Sequence, residues 1–600
     1  MSSEKRDPVR LSGWDFATWR AASEDPIMRS TMVGLLIMDG EPDWDRLVDR
    51  YERASRVVPI LRQKVVEGPV PWANPRLLID PDFDLTFHLR RFRMSTGATW
   101  GDVLDECRRQ SMTDFDRDRP LWKVTLLEGL PGGRSAIITK LHHAVADGQG
   151  AIQLGAALVD LTPEGFDLGP MPRAPRGEHL SSFDFAELMF RDNVDWAMDA
   201  ARAIAGSAVP AASAFLSDPV QTVSRLREVA DSLVRFTKTP SAQLSPIMTG
   251  RSINYHYGAF QLPFAQLRNS AKAVGHTVND AYLAAVAAGL GEYHRRQGAP
   301  VDQLNLNMPI SLRKSDDFGQ NAVTVAHFQV PTTDDDPVAL MNEISQTVRA
   351  WRAEPALGFA DKLGEISRFI PFDVIAAAAT ASDVTASNVP GPPVQVFLAG
   401  APITQFIPLP PPIGAAVFVA MLTYNGQATI GVAMDDRAVS DKALLMDCIR
   451  HGFATVTGAD VPQWNPLAVP GTPGRAEDSK AQKPAAKSAS TTKAASTAHA
   501  PTKKAPIKQA SVKKVTARKS VEKAEPATKA AATTVPAKAT SAKKAAGKSA
   551  PAKKATAKAA PAKKATAKAA PAKKAAAKAT PAKKAAAAKK VSAKQAQTPE

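Results

Sequence analysis

The sequence predicts an α/β (α+β) protein: two mixed units, residues 1–165 and 246–470, joined by a helical crossover at 166–245 and followed by a disordered basic tail at 471–600. Three observations carry this expectation. Strand-like apolar runs alternate with segments of helical spacing through the first 470 residues. Pro170, Pro172 and Pro175 then introduce two helical stretches with few strand signals between the mixed units. From Gly471 onward the composition collapses to Ala, Lys, Pro, Thr and Ser.

The elements follow in order. Ser30–Asp39 is a short apolar run closed by Asp-Gly and reads as a strand. Trp44–Val58 repeats Leu47, Tyr51, Ala54 and Val58 at helical spacing and opens at Asp43. Lys123–Leu127 and Ser135–Leu141 are β-rich and flank Gly129-Leu130-Pro131-Gly132-Gly133, the signature of a hairpin. Gln149–Leu161 has the pattern of a buried helix. In the crossover, helices are expected over Phe183–Ile204 and Val220–Phe236. The first carries an apolar stripe (Phe185, Leu188, Met189, Val194, Trp196, Met198) whose simplest role is packing on the body, with lipid contact the alternative. The second unit holds a helix at Asn279–Arg296 and a hairpin, Ala416–Thr423 and Ala428–Met434, across Tyr424-Asn425-Gly426.

Charge divides the chain at the same place as composition. The net charge is +17 overall, yet residues 471–600 hold 32 Lys+Arg against 5 Asp+Glu, which leaves the first 470 mildly acidic. A ten-residue unit, PAKKATAKAA, begins at Pro551 and again at Pro561. It lacks the apolar surface needed to offset ordering entropy, and its prolines interrupt any Ala-Lys helix. Two cysteines, Cys107 and Cys448, exclude a disulfide framework and a Cys-rich metal site. No apolar h-region follows the N-terminal charges, and Phe406–Leu422 is broken by Pro408, Pro410, Pro411 and Pro412. A cytoplasmic protein of a reducing compartment is expected, with attachment to a membrane surface left open.

The chemistry concentrates in His142-His143-Ala144-Val145-Ala146-Asp147-Gly148, between a strand (SAIITKL) and a helix (GQGAIQLGAALVDL). Such a junction presents a side chain at a cleft mouth while the sheet holds it rigid. Adjacent histidines on extended backbone point to opposite faces and no further His/Cys cluster accompanies them, so no metal is expected. A neutral imidazole near pH 7 is the usual base for a hydroxyl or thiol. One His serves as that base in this reading and Asp147 holds the loop, the plain alternative being a buried structural pair.

Other segments narrow the reading. Pro120-Leu121-Trp122 precedes Gly129-Leu130 by six residues; Val278-Asn279-Asp280-Ala281-Tyr282-Leu283-Ala284 opens a helix; Pro309-Ile310-Ser311-Leu312-Arg313 forms a strand; Ser387-Asn388-Val389-Pro390-Gly391-Pro392 makes a rigid turn. Together with the His-His-x-x-x-Asp-Gly string they resemble, over about residues 10–455, the bacterial wax ester synthase/diacylglycerol acyltransferases of the CoA-dependent acyltransferase superfamily. The resemblance implies two chloramphenicol-acetyltransferase-like domains around a central channel, and no cofactor beyond acyl-CoA as co-substrate. It implies His143 as catalytic base, with His142, Asp147 and Gly148 shaping the loop, and direct attack by an acceptor hydroxyl, from diacylglycerol or a long-chain fatty alcohol, on the thioester. Asn279, Asp280, Ser387, Asn388 and Arg313 are candidate substrate-binding residues, Arg313 as a partner for Asp147. The chain departs from the family pattern at Gly319-Gln320-Asn321 and at 245–250. The tail resembles mycobacterial Lys/Ala/Pro-rich histone-like tails, which implies attraction to anionic membrane, a droplet surface, DNA or another polyanion. Another lipid alcohol as acceptor, a condensation domain, and a scaffold acting through its tail are the alternatives.

Overall fold

The computed structural model describes residues 8–468, apart from 12, 71–72, 312–322, 334–335, 355–370 and, within 196–239, all but 198, 202 and 227. All described residues fall within one compact unit, Met1–Gln482. The expected helix at Val220–Phe236 lies almost entirely outside the described residues, as does the whole tail.

Two six-stranded sheets organise the chain. The first has the order β12-β13-β2-β7-β6-β5. Its strands are β2 (Thr31–Met38), β5 (Leu89–Arg93), β6 (Trp122–Leu130), β7 (Arg134–His142), β12 (Phe397–Leu398) and β13 (Ala401–Leu409). The second has the order β10-β9-β11-β14-β15-β8. Its strands are β8 (Tyr255–Pro263), β9 (Gln303–Ser311), β10 (Val323–Pro331), β11 (Val384–Pro390), β14 (Val417–Tyr424) and β15 (Gln427–Asp435). Among the described residues the third sheet is three-stranded, β1 (Val9–Arg10), β4 (Arg76–Ile79) and β3 (Gln63–Val66). The expected hairpins form: β6 pairs with β7 across Pro131–Gly133, and β14 with β15 across Asn425 and Gly426, both at positive φ.

Helices cover the outer faces. α1 (Gly13–Glu24) and α2 (Trp44–Val57) pack against the first sheet, and α2 starts where Asp43 accepts the Arg46 N–H. On the second sheet the helix predicted at 279–296 spans Val278–Arg296 and is almost wholly buried against β-strands and the helix Lys442–Thr457. The helix expected at Gln149–Leu161 is shorter, Gly148–Ala156. The chain leaves it so that Asp160 can bridge to Phe397 and take ion pairs from Arg46 and Arg50. In the crossover, residues 182–195 are helical. Phe185 and Leu188 face the body, whereas Phe183 and Phe190 are exposed.

The remaining inner faces meet each other. Val33, Leu35, Ile37 and Ile138 of the first sheet share one apolar cluster with Tyr255, Tyr257, Phe418, Ala420 and Ala433 of the second. The helix α4 (Trp100–Met112) closes one end of this seam, where Ser111 exchanges hydrogen bonds with Tyr255 and Tyr257 at 2.6 and 2.8 Å. The closest approach lies between β13 and β15. A Cβ on Gly431 would stand 1.7 Å from the Pro408 carbonyl oxygen, a backbone atom that cannot swing away. Gly431→Ala therefore forces the sheets apart and costs about 3 kcal/mol, read as a drop in thermal midpoint. Gly155→Ala, in a helix with nothing within 4 Å of its Cβ, is expected to be neutral or stabilising by up to about 1 kcal/mol.

Candidate active site

The His-His loop is held by backbone before any side chain acts. The His142 N–H donates to the Leu121 carbonyl at 3.1 Å and the His143 N–H to the Ser30 carbonyl at 2.9 Å. The Val145 N–H then turns back to the His142 carbonyl at 3.1 Å. Asp147 adopts extended backbone and caps the helix α5 (Gly148–Ala156), its Oδ1 accepting the Gly150 N–H at 2.7 Å. The strand–loop–helix junction expected from sequence is thus present, with His142 as the last strand residue and Asp147 as the cap.

The two histidines occupy different environments. His142 is 3% exposed, its ring set edge-on between Trp19 (5.5 Å) and Phe115 (5.9 Å). Its Nδ1 accepts the Ala144 N–H at 3.1 Å, so the neutral ring carries its proton on Nε2. Burial drives its pKa down to about 3. His143 is half-buried. Burial lowers its pKa too, but the Asp147 carboxylate acts in the opposite direction. His143 is therefore a neutral base at pH 7 with a counter-charge beside it for the imidazolium it would form.

The opposite wall comes from the second sheet. A Cβ on Gly148 would meet Val389 Cγ2 at 3.0 Å, so the start of α5 rests directly on β11. Ser387 lies on the same strand face as Val389, and Asn388 on the other. The helix Val278–Arg296 approaches β11 from that other side: the Tyr282 hydroxyl donates to the Val419 carbonyl at 2.8 Å and meets the Ser387 backbone. Asn279, one turn earlier, donates to Met308 Sδ at 3.6 Å. Asp280 completes a capping box with Thr277 and also receives the Ser345 hydroxyl at 3.3 Å, so its contacts are those of a cap. Arg313 lies outside the described residues. Both cysteines are buried and burial raises both thiol pKa values, Cys448 to about 11. Among the described residues no group of three or more His, Cys, Asp or Glu is placed to hold a metal ion, and no helix is long and apolar enough to cross a membrane.

Residues 11–282 match the wax ester synthase/diacylglycerol acyltransferase catalytic domain and residues 319–457 the WS/DGAT C-terminal domain. A Mycobacterium tuberculosis H37Rv protein carrying the name of a diacylglycerol O-acyltransferase is 36% identical over 437 residues, which is 72% of this chain and 88% of the relative. The chain belongs to the wax ester synthase/diacylglycerol acyltransferase family. A second protein of that strain with the same activity in its name is 25% identical over 475 residues, covering 76% of this chain and 98% of its own. Among solved structures, the wax ester synthase/diacylglycerol acyltransferase of Marinobacter aquaeolei VT8 superposes at a TM-score of 0.50 with 18% identity, over 74% of this chain and all of that one. The first condensation domain of the calcium-dependent antibiotic synthetase gives 0.51 and 17%, over 76% and 98%. These two establish the shared fold.

Within this family fold, sequence reading found the loop but not its supports. Trp19, Phe115 and Ser30 are far from the histidines in sequence, and no local pattern links them. Trp122 of the Pro-Leu-Trp element is 3% exposed, stacked at 4.3 Å on His88 and at 5.8 Å on Tyr51, and donates to the Leu61 carbonyl at 2.9 Å. That element braces the strand through Trp122 and holds the start of the loop through the Leu121 carbonyl, which accepts the His142 N–H. Asp147→Asn keeps a good cap but removes the charge that raises the His143 pKa. The acid limb of kcat/KM is then expected to move to lower pH, with kcat reduced about tenfold or more; a limb moving to higher pH would contradict the assignment.

Proposed function

We propose that this acyltransferase esterifies diacylglycerol from acyl-CoA, accepts long-chain alcohols as second acceptors, and uses His143 as general base. The observation that carries this reading is the contrast within the histidine pair. His142 is buried with its Nδ1 occupied, whereas His143 is half-buried, neutral and beside the Asp147 carboxylate.

The acceptor hydroxyl gives its proton to a ring nitrogen of His143 as its oxygen attacks the thioester carbonyl carbon. The imidazolium is stabilised by Asp147. The tetrahedral intermediate then collapses, the C–S bond breaks, and the departing sulfur takes the proton back as CoA thiol. Atoms and charge balance without an acyl-enzyme, and nothing beyond acyl-CoA is required. Developing negative charge on the carbonyl oxygen needs a donor; Ser387, on the β11 face that carries Val389, and Asn279 at its helix start are the candidate donors. We assign Asp280 and Asn388 as supports of those two, and Arg313 as the expected partner of Asp147.

The test is thiol release from palmitoyl-CoA, with and without diacylglycerol or hexadecanol. Acceptor-dependent release is expected from the wild-type protein and a loss of about 10²–10⁴-fold from His143→Ala. An equally active His143→Ala would end the base assignment, and release with neither acceptor would turn the reading toward another lipid alcohol.

The tail fits the same function at an interface. Its 32 basic residues against 5 acidic ones attract anionic membrane or droplet surfaces, and DNA by the same salt-sensitive force. We place the protein peripherally on the inner membrane or on lipid droplets. Deleting residues 471–600 is expected to leave turnover on dispersed substrate within about twofold while abolishing salt-sensitive attachment to anionic vesicles; a folded deletion variant without turnover would contradict this.

A further inference from the structure

Two residues before the histidine pair, β7 carries a cation in the interior. Lys140 is 4% exposed, on the strand face that carries His142, and is paired across the sheet with Lys123 of β6. The position is unfavourable twice: an ammonium loses its hydration, and it faces a like charge. Its Nζ is satisfied by donating to the carbonyls of Thr113 and, at 3.4 Å, Asp114, and it stands 4.3 Å over the centre of the Phe115 ring. Those three residues make the turn between α4 and Pro120-Leu121-Trp122. Phe115 is also the ring set edge-on to His142, and on the far side Trp19 does the same under the Arg117 guanidinium, 4.7 Å above it. His142 is thus flanked by two aromatic rings, each capped by a cation. A leucine or methionine at 140 would fill the space without the desolvation cost, but only a cation both gathers the 113 and 114 carbonyls and caps the ring.

We propose that Lys140 is a positioning residue for acyl transfer: it fixes the 113–115 turn, Phe115 thereby fixes the His142 ring, and His142, bonded to the Ala144 N–H, holds the loop that presents His143. The inference rests on the acyltransferase reading above. The groups facing Lys140 are the charged Lys123 on β6, Arg29 ahead of β2 and Asp114 in the turn, and the neutral His142 on its own strand. Burial above all, then Lys123, lower its pKa to about 8, with Asp114 opposing. The brace therefore weakens as pH rises through that value, and turnover falls with it.

The experiment compares full-length wild type, Lys140→Met and Lys140→Arg by kcat, KM for palmitoyl-CoA and acceptor, pH–rate profile, and the rate at which diethyl pyrocarbonate labels the His142–His143 peptide. Lys140→Met is expected to lower kcat about tenfold or more with both KM values within about threefold, to lose the alkaline fall near the wild-type pKa of about 8, and to label about fivefold faster. Lys140→Arg is expected to recover most of kcat and to move the alkaline fall above about pH 9.5, because guanidinium keeps its proton. A Lys140→Met enzyme with wild-type kcat, pH profile and labelling overturns the proposal, even if its thermal midpoint drops. Labelling is independent of turnover, so a wild-type protein inactive on both acceptors would turn the acceptor assignment toward another lipid alcohol, while a Lys140→Met protein with unchanged labelling would sink this proposal.

Discussion

The site depends on how closely two sheets can approach. At Gly431 the second sheet touches a backbone carbonyl of the first, that of Pro408, with no room for a single methyl group. Pro408 lies on β13, which the second half of the chain sends into the first sheet beside β2. The sheets are therefore fastened by an exchanged strand as well as by apolar packing. That arrangement brings the start of α5, on the first sheet, onto Val389 of β11, on the second. The His-His loop on one sheet thus faces a wall from the other, and burial is what lowers the His143 pKa.

The histidine pair shows how one dipeptide serves two purposes. His142 ends a strand, so its side chain turns into the aromatic packing between Trp19 and Phe115, where burial denies it a proton. His143 follows on the loop, where the Asp147 carboxylate opposes the effect of burial. Opposite orientation of neighbours on extended backbone separates the roles. The same loop geometry makes Asp147 both a cap and a counter-charge, so the start of α5 and the electrostatics of the base are set by one residue.

Legibility in the sequence followed locality. The 278–296 helix, both hairpins, the Asp43 cap and the His-His loop were readable because each is encoded by neighbours in the chain: a capping box, an Asn-Gly turn, apolar spacing. β13 was not, because Pro402 and Pro408 argue against a strand. Pro408 is tolerated because β12 covers only Ala401 and Pro402, leaving the rest of that edge without a partner strand among the described residues. The first sheet's dependence on residues 397–409 was hidden for the same reason. The contacts of Lys140 lie in the distant turn at 113–115, which no local pattern around β7 encodes. Asp280 is a candidate substrate contact by likeness, and its hydrogen bonds with Thr277 are those of a helix cap.

Direct transfer at a neutral His143, as proposed, leaves no acyl group resting on the protein. Its most direct test is rapid mixing of enzyme and palmitoyl-CoA without acceptor, following free thiol on the millisecond scale and the intact protein mass. Direct transfer predicts no stoichiometric burst of thiol and no acylated protein until acceptor is added. A burst equal to the enzyme concentration, with an acyl adduct on the chain, would contradict it.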